Sequence, residues 1–231
     1  MELPALRITA MRISRLAAAF LAAAGLSVSA AQPAGPSATE VASALQKKYD
    51  SIRDFSADFE HHSEGGILRK KRLERGLVLV KKPGRMRWNY TSPEKKEFVS
   101  DGKHMYLYVP ADRQVVRSPV PEADQATTAV LFLAGKGSLT RDFNVSFAAD
   151  GGSDTYALRL QPKLKERDYD WLEVVVNRTT MQIRSLSAAD AQGGRSTFVF
   201  SNFKENPGLS DKTFEFKIPR GVDVVPAGNS R

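Results

Sequence analysis

The run Val80–Pro110, VKKPGRMRWNYTSPEKKEFVSDGKHMYLYVP, restricts the possible folds of this chain more than any other stretch. It holds three short β-type segments separated by Pro/Gly turns, with aromatics on alternating positions. Within Arg85–Tyr90, Met86, Trp88 and Tyr90 share one face and Arg85, Arg87 and Asn89 the other, because successive strand residues point to opposite sides. One face requires an apolar partner and the other requires water. Asp101-Gly102 is a short hairpin signal between the last two segments.

The same period-two spacing starts at Phe55, where Phe55, Ala57, Phe59 and His61 alternate with Ser56, Asp58, Glu60 and His62. Gly65-Gly66 marks a turn. Strands are predicted at Leu73–Lys82, Arg85–Tyr90, Lys96–Ser100 and Met105–Val109. They resume at Val145–Ala148, Tyr156–Pro162, Trp171–Asn177, Ile183–Asp190, Arg195–Lys204 and Thr213–Ile218. Two segments have helical spacing instead. Ser37 and Glu40 form a capping-box pattern that opens a helix at Ala38, with Val41, Ala44, Leu45, Lys48 or Tyr49, and Ile52 as its apolar stripe. In Asp124–Ala134, Ala126, Ala129, Val130 and Leu133 recur at helical spacing before Gly135 and Gly137. Two helices and roughly ten strands predict a mainly β fold, a curved sheet closed by helices.

The N-terminus reads as an export signal. Arg12 and Arg15 precede the apolar run Leu16–Leu26, and Val28, Ser29 and Ala30 offer a small-residue cleavage site. The run is shorter than the roughly 20 residues that span a bilayer, and Met1 or Met11 is the start. Residues 1–30 are therefore expected to be a removed signal peptide, and 31–231 one domain that is soluble and exported to the periplasm. Removing residues 1–30, with Arg7, Arg12, Arg15 and Glu2, lowers the formal charge from +8 to +6. The chain contains no cysteine, so disulfides, thiolate metal sites, a cysteine nucleophile and a lipid anchor on cysteine are excluded.

Enzyme chemistry finds little support in the residues. There is no G-x-S-x-G, no P-loop and no dinucleotide-binding glycine pattern. His61 and His62, with Glu60 and Glu64, are the only cluster that resembles a metal site, but neighbouring strand residues face opposite ways and no metal-binding histidine spacing exists. No metal is expected. The basic run Arg69, Lys70, Lys71 and Arg72, with Arg75, Lys81 and Lys82, suits a solvated hairpin tip, anionic headgroups or an acidic protein patch. An exported protein has no nucleic-acid partner. What remains is apolar surface: Phe55, Phe59, Met86, Trp88, Tyr90, Phe98, Tyr106, Tyr108, Trp171, Phe198, Phe200 and Phe203 exceed what solubility requires, and a sheet that curls widely leaves interior space for a ligand.

The order K-K-P-G-x-M-x-W-x-Y-x-x-P, then F-V-S-D-G-K, then a tyrosine-rich strand ending in proline resembles the LolA family of periplasmic lipoprotein carriers. DFSADFEHH upstream and TFEFKIPRGVDVV downstream extend the likeness over most of the chain. The resemblance implies an unclosed antiparallel β-barrel, a strongly curved sheet covered by a helical lid, with no catalytic residue and no cofactor. Its hydrophobic cavity would take lipoprotein acyl chains from an inner-membrane lipoprotein-releasing ABC transporter and pass them to an outer-membrane receptor, the carrier being a monomer. By matched position Met86 and Trp88 are cavity wall, with Phe98 and Leu79 as neighbours. Phe55, Phe59 and Tyr90 join them, and Leu45 and Val130 belong to the lid. Lys82 stands where the family commonly has an arginine thought to tie barrel to lid; lysine keeps the charge but lacks the planar fork. On this reading Trp88→Glu abolishes acyl binding without unfolding, and Lys82→Leu holds cargo without handing it on. The alternative is a periplasmic binding protein for a glycolipid or phospholipid, or a lipoprotein-sensing regulator with the same half-barrel. The lack of a second domain after Arg231 favours the carrier.

Overall fold

A computed structural model describes residues 35–65, 70–120, 137–149, 151–166 and 169–227. The export signal, the Gly65-Gly66 turn beyond Gly65, the predicted helix at Asp124–Ala134 and Val130 within it lie outside the described residues.

Helix α1 spans Ala38–Ser51 and starts where its cap predicts. The Glu40 amide donates to Ser37 Oγ at 3.3 Å and the Ser37 amide donates to Glu40 Oε2 at 2.7 Å, so both orphan donors are satisfied. These bonds hold the Glu40 carboxyl below its ordinary range. The buried stripe is Val41, Ala42, Leu45 and Tyr49, followed by Ile52. Ala44, expected in the stripe, is exposed. The stripe is centred between Leu45 and Tyr49, which turns Ala44 outward and Ala42 inward.

Among the described residues twelve strands follow: β1 (Asp54–Gly65), β2 (Lys70–Lys81), β3 (Arg85–Ser92), β4 (Lys96–Asp101), β5 (His104–Val109), β6 (Gln114–Pro119), β7 (Phe143–Phe147), β8 (Thr155–Pro162), β9 (Trp171–Asn177), β10 (Ile183–Ala189), β11 (Arg195–Glu205) and β12 (Asp223–Pro226). A short helix α2, Leu139–Asp142, precedes β7. All twelve strands make one sheet in the order β12-β6-β5-β4-β3-β2-β1-β11-β10-β9-β8-β7. Neighbours are antiparallel except β12 and β6, and the edge strands β12 and β7 do not pair, so the barrel is unclosed. The long-range pairing of β1 with β11 places Phe55–His61 in the middle of the sheet.

One face carries the main core. Val78, Val80, Met86, Trp88, Phe59, Phe200, Leu186, Leu172, Val174 and Leu158 bury together with Val41, Leu45 and Tyr49 of α1, and with Leu139 and Phe143. The helix covers the β7–β8 side of this inner face. Directly opposed residues in antiparallel pairs share a face, so the register Phe59↔Gly76↔Tyr90 and Val78↔Trp88↔Phe98 carries that surface across β1 to β4.

The C-terminal segment departs from the expectation of a strand at Thr213–Ile218. Asp211–Phe214 is a 3₁₀ turn, and the chain crosses the outer face of β3–β5 before β12 adds in parallel to β6. Phe214 is buried, and the Phe216 ring stacks on Tyr106 at 5.0 Å. Arg87 donates to the Glu215 carbonyl at 2.8 Å. An extended chain lying flat on a sheet alternates sides whether or not it joins a ladder, so period two cannot tell a strap from a strand. Tyr106 and Tyr108 thereby belong to the outer face under Phe216, not to the interior suggested by their ring content. Trp171 is also on the outer face, where the Arg159 guanidinium lies 3.6 Å from its ring. Strand β6, absent from the predicted elements, is short and begins after Arg113 at φ 49.

The strap is fastened where β1 begins. Asp54, buried, accepts from the Gly208 amide at 2.9 Å and the Leu209 amide at 3.3 Å, while the Asn206 amide donates to the Asp54 carbonyl at 2.7 Å. Lys81 pairs with Asp211 at 2.5 Å on the same side.

Candidate functional site: the inner face of the half-barrel

The floor of the inner face is aromatic. Phe59 on β1 meets Trp88 at 5.1 Å and Tyr90 at 4.9 Å, both edge-on, and Phe198 at 5.9 Å. Trp88 lies 4.9 Å from Phe198. These offset and edge-on geometries suit the ring quadrupoles. Phe59 reaches this position because Gly76 lies beneath it: a Cβ at Gly76 would fall 2.8 Å from Phe59 Cζ and 2.0 Å from the Asn89 carbonyl oxygen. A bulge between Arg75 and Gly76 accompanies this close approach.

Towards β4–β6 the same face is less covered. Phe98, Met105 and Val116 are half-buried, and Leu107 retains 37% of its exposure. The register Phe98↔Leu107↔Val116 continues the Trp88 row, so the apolar wall passes from a packed core to surface more open to solvent.

One edge of the wall, reached along the strands and not across them, is polar. His61 Nδ1 lies 3.2 Å from Glu74 Oε2 and its Nε2 lies 2.9 Å from Ser196 Oγ, while the ring stacks on Phe198 at 4.0 Å. Lys96 donates to Glu74 Oε1 at 2.7 Å with its ammonium 4.1 Å from the Tyr90 ring. Glu74 is only 5% exposed. Burial pushes the Tyr90 hydroxyl up to about 12, with Glu74 adding to it. Burial also holds His61 below its ordinary 6.5, against the pull of Glu74. For Glu74 burial is the largest influence and acts upward, yet Lys96 and His61 together outweigh it and the carboxyl sits below 4.5.

Both shifts favour the deprotonated form in the folded protein, so the unfolded chain binds more protons as pH falls. The contribution of His61 is complete above 6.5 and is lost as pH drops towards its depressed value. That of Glu74 is complete above 4.5 and is lost below it. Thermal melts are expected to show Tm declining in two stages on acidification, the first absent in His61→Gln. A Tm unchanged between about pH 7 and pH 4 would contradict this linkage.

The expected site residues divide into groups. Phe59, Met86, Trp88, Tyr90 and Phe98 share the inner face. Leu45 is on the buried side of α1 and Phe55 packs against the helix, stacking on Phe203 at 4.8 Å and approaching Tyr49 edge-on at 6.1 Å. Leu79 is on the outer face, opposite Ser56 and Arg87; the residues facing inward are Val78 and Val80. Lys82 donates to the Tyr49 carbonyl in the last turn of α1, and its ammonium lies 3.9 Å from the Tyr49 ring, so it joins the end of β2 to the helix. Burial lowers its pKa, opposed by Asp50. His61 and His62 face opposite sides, His62 meeting Glu60 at 3.3 Å. Among the described residues, no group of three or more histidines or carboxylates is placed to hold a metal. Sequence reasoning missed Leu107, Val116, Gly76 and the Glu74–Lys96 pair. Leu107 is detectable by alternation with Tyr106 and Tyr108, once the tyrosines are assigned outward.

An unclosed antiparallel half-barrel with an apolar, partly open inner face and a helix across it defines a class of binding fold. The family model described as "Outer membrane lipoprotein carrier protein LolA" matches residues 50–217. An outer-membrane lipoprotein carrier protein of Methylibium petroleiphilum is 36% identical over 156 residues, 68% of this chain and 74% of that protein. One from Legionella pneumophila (strain Corby) is 31% identical over 189 residues, covering 80% and 89%. The solved structure of an uncharacterized conserved protein from Thermus thermophilus shares the fold at a TM-score of 0.52 and 14% identity, covering 82% of this chain and 99% of that one. The chain belongs to the LolA family.

Proposed function

We propose that this protein is a periplasmic carrier that shields the acyl chains of lipoproteins against its inner face. It takes them from an inner-membrane lipoprotein-releasing transporter and delivers them to an outer-membrane receptor. The observation that carries this reading is the inner wall itself, which runs from the packed Phe59–Trp88–Phe198 cluster to half-buried Phe98 and exposed Leu107 without a change of face. Each methylene moved from water to such a surface is worth about 0.8 kcal/mol, so two or three long chains need a shield to cross an aqueous space. Kinship with proteins named as lipoprotein carriers supports the choice of cargo. Among the described residues no helix is long and apolar enough to cross a membrane.

The test is to incubate the purified protein, without residues 1–30, with spheroplasts of its host. Acylated lipoproteins released into the supernatant in complex with it are the expected result. Free glycolipid or phospholipid alone in the complex would replace the lipoprotein by another lipid, and an empty protein would end the carrier reading. Leu107→Glu puts a charge on the open part of the wall, so capture should fall at least about tenfold with little change in Tm. Unchanged capture would move the binding surface elsewhere. The latch role of Lys82 is tested by Lys82→Leu, expected to keep cargo but transfer it slowly; normal transfer would confine Lys82 to holding α1.

A further inference from the structure

Folding alone does not require a charged pair at the end of an apolar wall. Burying a carboxylate costs free energy that a partner offsets only in part, and an apolar pair of similar volume often folds as well or better. Yet Glu74, 5% exposed, sits on the inner face two residues from Gly76 and the Phe59 cluster, and is held by Lys96 and His61. Glu74 also has Arg72 at 4.0 Å. His61 is occupied on both ring nitrogens, by Glu74 and Ser196.

Lys96 differs from its neighbours. An ammonium has three N–H donors and no acceptor, and Lys96 makes one hydrogen bond, to Glu74 at 2.7 Å, while its side chain keeps 24% exposure. Two residues further along β4 lies Phe98, on the same face, with Leu107 opposite it on β5. The wall of half-buried Tyr90 and Phe98 and exposed Leu107 thus begins at a donor whose nearest counter-charge is the Glu74 carboxylate. That suits an uncharged oxygen acceptor attached directly to an alkyl chain. A phosphate would bring its negative charge against the Glu74 carboxylate.

We propose that Lys96, positioned by Glu74, donates to the acyl carbonyl oxygens of an ester-linked diacylglyceryl group whose chains lie over Tyr90, Phe98 and Leu107. The subsite rests on the acyl-binding reading above and sets the depth at which the chains enter: carbonyls at the polar end, methylenes along the wall. Lys96 touches the ligand; Glu74 and His61 act through it.

Calorimetric titration with two synthetic lipopeptides separates this subsite from general apolar binding. One carries an ester-linked diacylglyceryl-cysteine and the other its dialkyl ether, which has the same chains and lacks the carbonyls. Wild type should bind the ester about tenfold or more tightly than the ether, as expected for a hydrogen bond from a charged donor. In Lys96→Met the two probes should bind equally, at the level of the ether. Because that variant takes from Glu74 its nearest cation and puts the fold at risk, Glu74→Gln/Lys96→Met provides a neutral pair in which the same loss of preference is expected. Equal binding of ester and ether by wild type overturns the subsite and leaves the carrier reading intact. Failure of wild type to bind either probe overturns both. A third probe, phosphatidylglycerol vesicles, identifies the source: extraction that depends on Lys96 assigns the subsite to glycerolipid esters in general, and extraction of none assigns it to the lipoprotein.

Discussion

Trp88→Ala should lower the free energy of unfolding by about 3–5 kcal/mol, the cost of emptying a large aromatic site that cannot fully collapse. Trp88 is 7% exposed and is held by Phe59 at 5.1 Å, Phe198 at 4.9 Å and Phe200 at 6.4 Å. Its neighbours come from β1 and β11, which pair with each other in the middle of the sheet, so the cavity would open at the junction of the two halves. Urea unfolding of the variant reads the change directly, and a loss below about 1 kcal/mol would show that this wall is loosely packed. The same burial revises the expectation that Trp88→Glu leaves the chain folded. A carboxylate placed among these rings has no partner there and would unfold the protein before reporting on cargo. Leu107, further along the wall and open to water, is the position at which the proposed binding is expected to separate from stability.

Gly76→Ala should be comparably severe, at about 3 kcal/mol or more, although it adds a single methyl group. The new Cβ would lie 2.0 Å from the Asn89 carbonyl oxygen and 2.8 Å from Phe59 Cζ. A flexible side-chain tip can move aside, but the Asn89 carbonyl is backbone within β3, paired residue by residue with β2 through Leu77↔Asn89 and Val78↔Trp88. Relief therefore requires separating two central strands or displacing Phe59 from the cluster. Chemical denaturation should show the loss. Amide exchange should quicken first along β2 and β3, where the ladder is strained. A variant as stable as wild type would mean that the bulge at Arg75 and Gly76 absorbs the methyl group.

The Ser37–Glu40 cap sets the start of α1 from four residues because capping is local chemistry. The alternation through Phe55–His61 and Arg85–Tyr90 similarly shows which side chains share a face. It does not show which face is inside. Leu79, expected in the wall, lies one register position away from the inward-facing Val78 and Val80, and a single step in a strand exchanges the faces. The tyrosines of β5 and Trp171 of β9 depart from expectation for a related reason: aromatic content marks a side chain that buries area, but not the surface against which it does so.

Local patterns in the sequence determined most of the strands, the helix start and membership of the family, since each depends on residues that are neighbours in the chain. Only the tertiary structure decided how TFEFKIPRGVDVV is used, because a strap on the outer face and a strand in the sheet share one periodicity. The polar end of the inner wall was decided in the same way. His61 and Glu74 are 13 residues apart and Glu74 and Lys96 are 22 apart. No spacing rule connects them; they meet because the pairing of β1 with β2 and the reach of Lys96 from β4 bring three titratable groups to one edge of an apolar surface. There, burial makes each depend on the others.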